Sequence, residues 1–338
     1  MITTFISILF TLLTTAYSYD KLSETGLYSD IAKKTIAKEN RYYSPQYPLW
    51  TDGAIKKRWI YIPQGEKIDT SDMNRWVFPV GTKIWKEFAF QSEDGSKITR
   101  VETRLIEKNK QGNWLYSTYH WNSDESDADL VPDSGMRDVY QIDSKTTFDI
   151  PSKRQCIACH GFDNRAVQSF QAIQLSPDRD AMAPHQDNSN PNALTLKELI
   201  TEGLITHAPS VWPKVPNDNL NPLQKTVFGY MVGNCASCHR PGGLADRTGF
   251  LMNFDVNAQD FTELPAYKTG IDERTVFFVI PGVDPMDSYR LRPNVVEHSA
   301  VVYRLKNRSY RPMPPFGYKI ADQEGVGLIE NYLRNFIK

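Results

Sequence analysis

The chain has 338 residues, of which 40% are hydrophobic and 23% charged, and its formal net charge is −1. That length can bury a substantial core in one large domain or two smaller ones. The near-neutral balance excludes a basic nucleic-acid binder and offers no pull toward an anionic membrane. Two short charged runs, "KKRW" at 56–59 and "SDESDAD" at 123–129, read as solvated turns or strand edges.

The first residues, "MITTFISILFTLLTTAYSYDKL", hold an apolar stretch from Phe5 to Leu13, then small and polar residues. Ala16 and Ser18 stand at the spacing a signal peptidase prefers. The apolar run is too short to span a bilayer comfortably. Residues 1–18 are therefore expected to be a signal peptide, the alternative being an uncleaved membrane anchor. The mature chain would start near Tyr19, carry no membrane span and reside in the oxidising periplasm.

Residues 19–150 are expected to form a β-rich domain. "KRWIYIP", "RWVFP" and "TKIWKEFAF" are short, aromatic and β-branched, and the last alternates well enough for a half-buried strand. Asp94-Gly95 marks a hairpin turn into "KITRVETRLIE", and "QGNWLYSTYHW" reads as a further strand. The spacing predicts an antiparallel sandwich or barrel, with Trp50, Trp59, Trp76, Trp85, Trp114 and Trp121 mostly in its core. A sugar- or quinone-binding aromatic face is the alternative.

Helical signals dominate from residue 151 onward, so the fold class is α+β. "TLKELITEG" places Thr195 and Glu198 in capping-box register and Gly203 at a C-terminal stop. "NPLQKTVFGYMVGNC" offers Asn221 as N-cap, Pro222 at the first helical position and an apolar stripe from Leu223 to Val232. "SPDRDAMAPHQDNSNPN" at 176–192 reads as a surface loop, and 244–320 as a Pro- and Gly-rich irregular stretch. The last helix carries Val326, Ile329, Leu333 and Phe336 along one face.

All four cysteines fall in "CIACH" and "CASCH", that is Cys156, Cys159 and His160, then Cys235, Cys238 and His239. Two zinc-ligand pairs, a thioredoxin-like redox pair and two small disulfides each account for Cys-x-x-Cys. Covalent haem attachment also accounts for the histidine that follows, in a chain with only six histidines. Two covalently attached haem c groups are thus expected, with thioethers to the cysteines and His160 and His239 as proximal ligands. Zinc is the principal alternative. Met313, between Pro312 and Pro314 in "YRPMPPFG", is the expected distal ligand of the second haem. For the first, Met182 or His185 of the "MAPH" loop are candidates, with His120 and His207 as others.

Helix, "CASCH", irregular middle, "MPP" loop and amphipathic last helix together make 216–338 resemble a class I c-type cytochrome. The resemblance implies first and last helices in close contact, with Gly229 admitting Tyr332 or Leu333. Segment 151–215 would carry the first haem. The mature chain also resembles a group of exported bacterial cytochrome-c-like proteins, through "SPQYPLWTDGAIKKRWIYIPQG", "FPVGTKIWKEF", "VETRLIE", "CIACHGF", "QAIQLSPDRD" and "NCASCHRPGG". That likeness implies an architecture and no reaction.

The expected function is an exported di-haem electron carrier, working with a redox partner protein and no nucleic acid. A di-haem peroxidase or oxidase, with an open site at the Cys156 haem, is the alternative. A third is a carbohydrate- or polymer-binding β domain with a tethered cytochrome.

Overall fold

The computed structural model describes residues 19–161, 165–217 and 221–337; the expected signal peptide lies outside them. The strands are β1 (Tyr28–Asp30), β2 (Thr35–Ile36), β3 (Arg41–Tyr42), β4 (Ile55–Tyr61), β5 (Lys83–Gln91), β6 (Ile98–Lys108), β7 (Trp114–Trp121), β8 (Ala128–Leu130), β9 (Met136–Gln141) and β10 (Thr147–Ile150). The helices are α1 (Lys153–His160), α2 (Ala172–Leu175), α3 (Leu196–Thr201), α4 (Leu223–Asn234), α5 (Pro265–Lys268), α6 (Ala300–Lys306) and α7 (Gln323–Arg334). The fold is α+β, with its antiparallel strands first and its longest helices last.

Strands β3 to β8 make one six-stranded sheet in sequence order, while β1–β2 and β9–β10 are separate two-stranded ribbons. Because β3 and β8 are edges, the sheet is an open meander. The expected barrel does not close, and no second large sheet stacks on it among the described residues. "RWVFP" adds no strand; Val77 makes a lone bridge to Asp69, and Pro79 stops the ladder there. At the Asp94-Gly95 hairpin, Gly95 adopts φ +72° and Asp94 accepts from Ser92 and Ser96, as a tight turn requires.

Both faces of the sheet are covered, which blurs the alternation of β5. On one face Trp59, Trp85, Leu105, Tyr119 and Trp121 pack under Leu22, Leu27 and Tyr28. On the other, Ile60 and Ile84 join Phe170, Leu175, Leu194, Leu196 and Leu199 in one apolar cluster. A boundary at 150/151 therefore runs through a shared core. The same junction is hydrogen-bonded: Tyr47 N–H donates to Gln174 Oε1 at 2.9 Å, and Asp180 N–H donates to Gln46 Oε1 at 3.0 Å. The 176–192 stretch is irregular yet buries Ser176, Asp180 and Ala183, so only part of it is surface.

The caps form where the sequence places them. Thr195 and Glu198 cap α3 reciprocally, and Asn221 Oδ1 accepts from Leu223 N–H at 3.0 Å ahead of α4. The 244–320 stretch also holds α6, which sequence periodicity does not announce. Its Val302 and Leu305 share a cluster with Ile329 and Leu333 of α7.

Helices α4 and α7 cross with Phe228 and Tyr332 edge to face, ring centroids 5.8 Å apart. The glycine that admits this crossing is Gly325, where an added Cβ would lie 2.2 Å from the Tyr230 hydroxyl oxygen. Gly229 admits neither Tyr332 nor Leu333: its open side is filled by Tyr47, whose ring would be 2.1 Å from an added Cβ. Gly229→Ala and Gly325→Ala should each destabilise the fold by about 1–3 kcal/mol through overpacking. Gly327→Ala, exposed in α7 with nothing within 4 Å, should stabilise it by about 0.5–1 kcal/mol. Urea unfolding of the three variants checks the contrast.

Candidate cofactor cavity

Helix α1 is built to present its motif. Ser152 and Gln155 form a capping box, with Ser152 N–H donating to Gln155 Oε1 at 2.9 Å and Gln155 N–H to Ser152 Oγ at 3.3 Å. One helical turn then sets Cys156, Cys159 and His160 at i, i+3 and i+4 on a common face. The second motif begins where α4 ends. Cys235 N–H closes on Met231 O at 2.8 Å, and His239 N–H on Cys235 O at 3.0 Å, so this turn is helical too.

Both motifs open into one cavity, lined by all four cysteines, both histidines and Met313. Cys159 Sγ and Cys238 Sγ stand 3.8 Å apart across it. All four cysteines are free thiols, and none is joined in a disulfide. Burial pushes the Cys235 thiol up to about 12 and raises Cys156. The contact with Cys238 and then burial raise the Cys159 thiol, while the same contact lowers Cys238 to about 7. Among the described residues no group of three or more His, Cys, Asp or Glu is placed to hold a metal ion. The Cys₄ zinc alternative thus lacks its tetrahedron.

The histidines are prepared alike. His239 Nδ1 meets Phe250 O at 2.9 Å, and His160 Nδ1 meets Ala166 O at 2.5 Å. In each case the backbone carbonyl fixes the tautomer with the proton on Nδ1 and leaves Nε2 as the available lone pair. Burial pulls His160 down to about 4 against the opposing carbonyl, and lowers His239 in the same way. Both imidazoles are neutral at pH 7, the form that binds a metal.

Met313 reaches the cavity on a loop held by one arginine. Arg308 donates to the carbonyls of Met313, Pro314 and Tyr318 at 2.8, 3.0 and 2.9 Å, and its guanidinium lies 4.3 Å from the Tyr318 ring. The Met313–Pro314 peptide is cis. Phe250, Met252, Val301 and Leu305 supply apolar wall around His239 and Met313.

The candidates for the first motif do not reach it. Met182 is 53% exposed and lies outside the cavity. His185 is turned away because Nε2 bonds both oxygens of Asp322 at 3.0 Å, and its ring packs 4.7 Å from Trp50. His120 pairs across the sheet with Glu102 and Asp129, and His207 bonds Thr206 Oγ1 at 2.9 Å. All six histidines are described, and only His160 and His239 line the cavity.

The wall facing α1 is the sheet, and it is cationic. Arg58 pairs with Lys86, Lys86 with Arg104 and Arg104 with Thr118, in one row across β4, β5, β6 and β7, and all four line the cavity. Arg58 is only 3% exposed, so "KKRW" is not a solvated edge. Arg104 forks onto fully buried Glu102, Nε to Oε2 at 3.0 Å. Burial, with Arg58 and Arg104 close by, holds the Lys86 ammonium well below its usual range. Lys56, one pleat along and buried, is brought down to about 7 by burial and then by Arg58.

Paired thiols on one helical face, an imidazole with Nε2 open, apolar walls and buried cations fit a covalently attached iron porphyrin. Cys156, Cys159 and His160 could hold one, and Cys235, Cys238, His239 and Met313 another. Sequence reading did not find the two carbonyls that set the histidines, the Arg308 clamp or the cation row. Only the Ser152-Gln155 cap had a local signature, S-x-x-Q before the motif. Comparison with protein-family models, with curated proteins and with solved structures gave no match. Among the described residues no helix is long and apolar enough to cross a membrane.

Asp322, which holds His185 away from the cavity, also accepts from Tyr230 Oη at 2.9 Å and Gly325 N–H at 3.0 Å. Burial raises its carboxyl, but the His185, Gly325 and Tyr230 hydrogen bonds outweigh that and hold it below its ordinary value. A lowered folded pKa means the stabilisation is complete above the unfolded value, about 4, and is lost as acid protonates the folded group. Asp322→Asn should lower stability by about 1–3 kcal/mol at pH 7. The gap to the unmodified protein should close as the pH falls below about 4, as urea unfolding across a pH series will read out.

Proposed function

We propose that the protein is an exported di-haem c-type cytochrome that passes single electrons to or from a partner redox protein. One observation carries this reading: two Cys-x-x-Cys-His turns, each with its histidine Nδ1 on a backbone carbonyl, face one cavity with sulfurs 3.8 Å apart. Porphyrins tethered at Cys159 and Cys238 would start in contact, which suits electron exchange inside the molecule. The class I cytochrome resemblance of 216–338 belongs to the same proposal, supported by the crossing of α4 and α7 and the Met313 loop.

Haem c would supply a one-electron iron couple at each motif. The chain's part is placement and exclusion of water. His239 offers Nε2 from one side of the cavity and Met313 its thioether, the pairing that raises a reduction potential. Arg308 holds the Met313 loop by three carbonyls, and Phe250, Val301 and Leu305 supply apolar wall to the cavity.

A peroxidase- or oxidase-like role is favoured by a separate observation. Among the described residues the cavity is lined by His160, His239, Met252 and Met313 and by no further histidine or methionine. His239 and Met313, taken for the second haem, leave no partner of that kind opposite His160 except Met252 beside His239. An iron held by His160 alone would keep a position for a small molecule. The polymer-binding alternative gains no such support, since Trp59, Trp85 and Trp121 are buried in the core.

Protein made in a host competent in cytochrome maturation should carry the mass of two porphyrins and stain for haem after denaturation. Changing Cys156 and Cys159 to alanine should remove one haem, and changing Cys235 and Cys238 the other. Colourless protein of bare polypeptide mass refutes the proposal. Met313→Ala should turn the second haem high-spin and lower its potential; an unchanged spectrum and potential would exclude Met313 as ligand. A high-spin first centre whose spectrum responds to peroxide supports the open-site role, and a six-coordinate low-spin one removes it.

A further inference from the structure

The row Arg58, Lys86, Arg104 violates a rule of sheet construction: like charges directly opposite one another on adjacent strands destabilise the pair. Here the three side chains also face inward. Arg58 is buried and Lys86 and Arg104 are half-buried, so an unmatched charge there carries a desolvation penalty. Glu102 neutralises Arg104 and no more. Neither Arg58 nor Lys86 has a hydrogen bond or ion pair to a carboxylate among the described residues, and Arg58 Nε, fully enclosed, has no partner at all. Glu102 thus leaves Arg58 and Lys86 on the cavity wall without a carboxylate partner.

A covalently attached porphyrin brings two propionates on the side opposite its thioethers. We propose that Arg58, Lys86 and Arg104 form a carboxylate-binding site on the sheet, taken up by the two acid groups of the porphyrin at Cys156 and Cys159. This rests on the haem reading of that motif and adds the sheet's part in it. Two carboxylates would meet two basic side chains that have no carboxylate partner of their own. The adjacent row of the same face, Ile60, Ile84, Ile106 and Tyr116, is uncharged.

The test uses full-length protein matured with haem, comparing Arg58→Met and Lys86→Met with the unmodified chain. Arg104 is left alone because its loss would orphan Glu102. Haem content by the pyridine haemochrome assay is read first, then the midpoint potential of each centre and the propionate bending bands by resonance Raman. Both haems should remain attached. The first centre's midpoint should shift downward as positive charge is removed, its bending bands should move, and the Met313 centre should stay put. Unmoved bands and an unmoved midpoint with both haems present overturn the proposal. Should Arg58→Met not fold, Arg58→Lys keeps the charge and alters the hydrogen bonds, so the bands alone should move; unmoved bands overturn it. If no haem is found at Cys156 in unmodified protein, the haem reading fails separately. Succinate binding by that protein, weakened at least tenfold by either Met variant, would then keep a carboxylate site fed from solution, and no binding would overturn it.

Discussion

Cys159 and Cys238 meet sulfur to sulfur, and much of the molecule is arranged so that they can. α1 has to lie along β7, where Tyr116 Oη donates to the carbonyl of His160 at 2.9 Å. α4 has to end at the same point, and Asn234, the residue before the second motif, fixes that end by binding Pro48 O and Trp50 N–H. The segment 43–54 is thereby threaded between sheet and helices, with Tyr47 seated on two glycines of α4. A space remains between the motifs because the walls that would close it are held elsewhere: the Met313 loop by Arg308, and the sheet by a second core on its far face.

The two lobes of that space differ in chemistry more than in shape. Around His239 the wall is Phe250, Met252, Val301 and Leu305, with Arg290 and Arg304 near the histidine and a thioether within the same enclosure. Around α1 the wall is strand, with guanidinium, ammonium and hydroxyl groups in register. A protein interior does not gather cations for stability, since well-packed apolar residues serve better.

Much of the outline was readable from sequence because its signals are local. The paired Cys-x-x-Cys-His spellings, the Thr195–Glu198 box, the Asn221-Pro222 helix start and the Asp94-Gly95 hairpin each rest on neighbours within a few residues. So do β4 to β7, though the alternation of β5 misled where both faces are covered. "KKRW" was misread for the same reason: polarity was taken to mean solvent, whereas Lys56 and Arg58 point inward. α6 was invisible because it is seven residues long, carries adjacent valines and forms only against α7. Met182 and His185 were natural guesses from proximity in sequence, but Asp322, far along the chain, decides where His185 goes. Tyr47 against Gly229 had no local signature at all.

Trp50 bonds Asn234, 184 positions further along the sequence. A ribosome delivers Tyr47 and Trp50 long before the helix that they complete, so those residues spend the rest of translation without their final neighbours. The carboxy-terminal half, for its part, has a groove over Gly229 and Gly233 that nothing of its own fills. The packing of α4 is therefore completed only by residues far earlier in the chain. Such dependence on distant pairings slows folding and leaves the interior reachable for longer in the newly made chain than in the finished one.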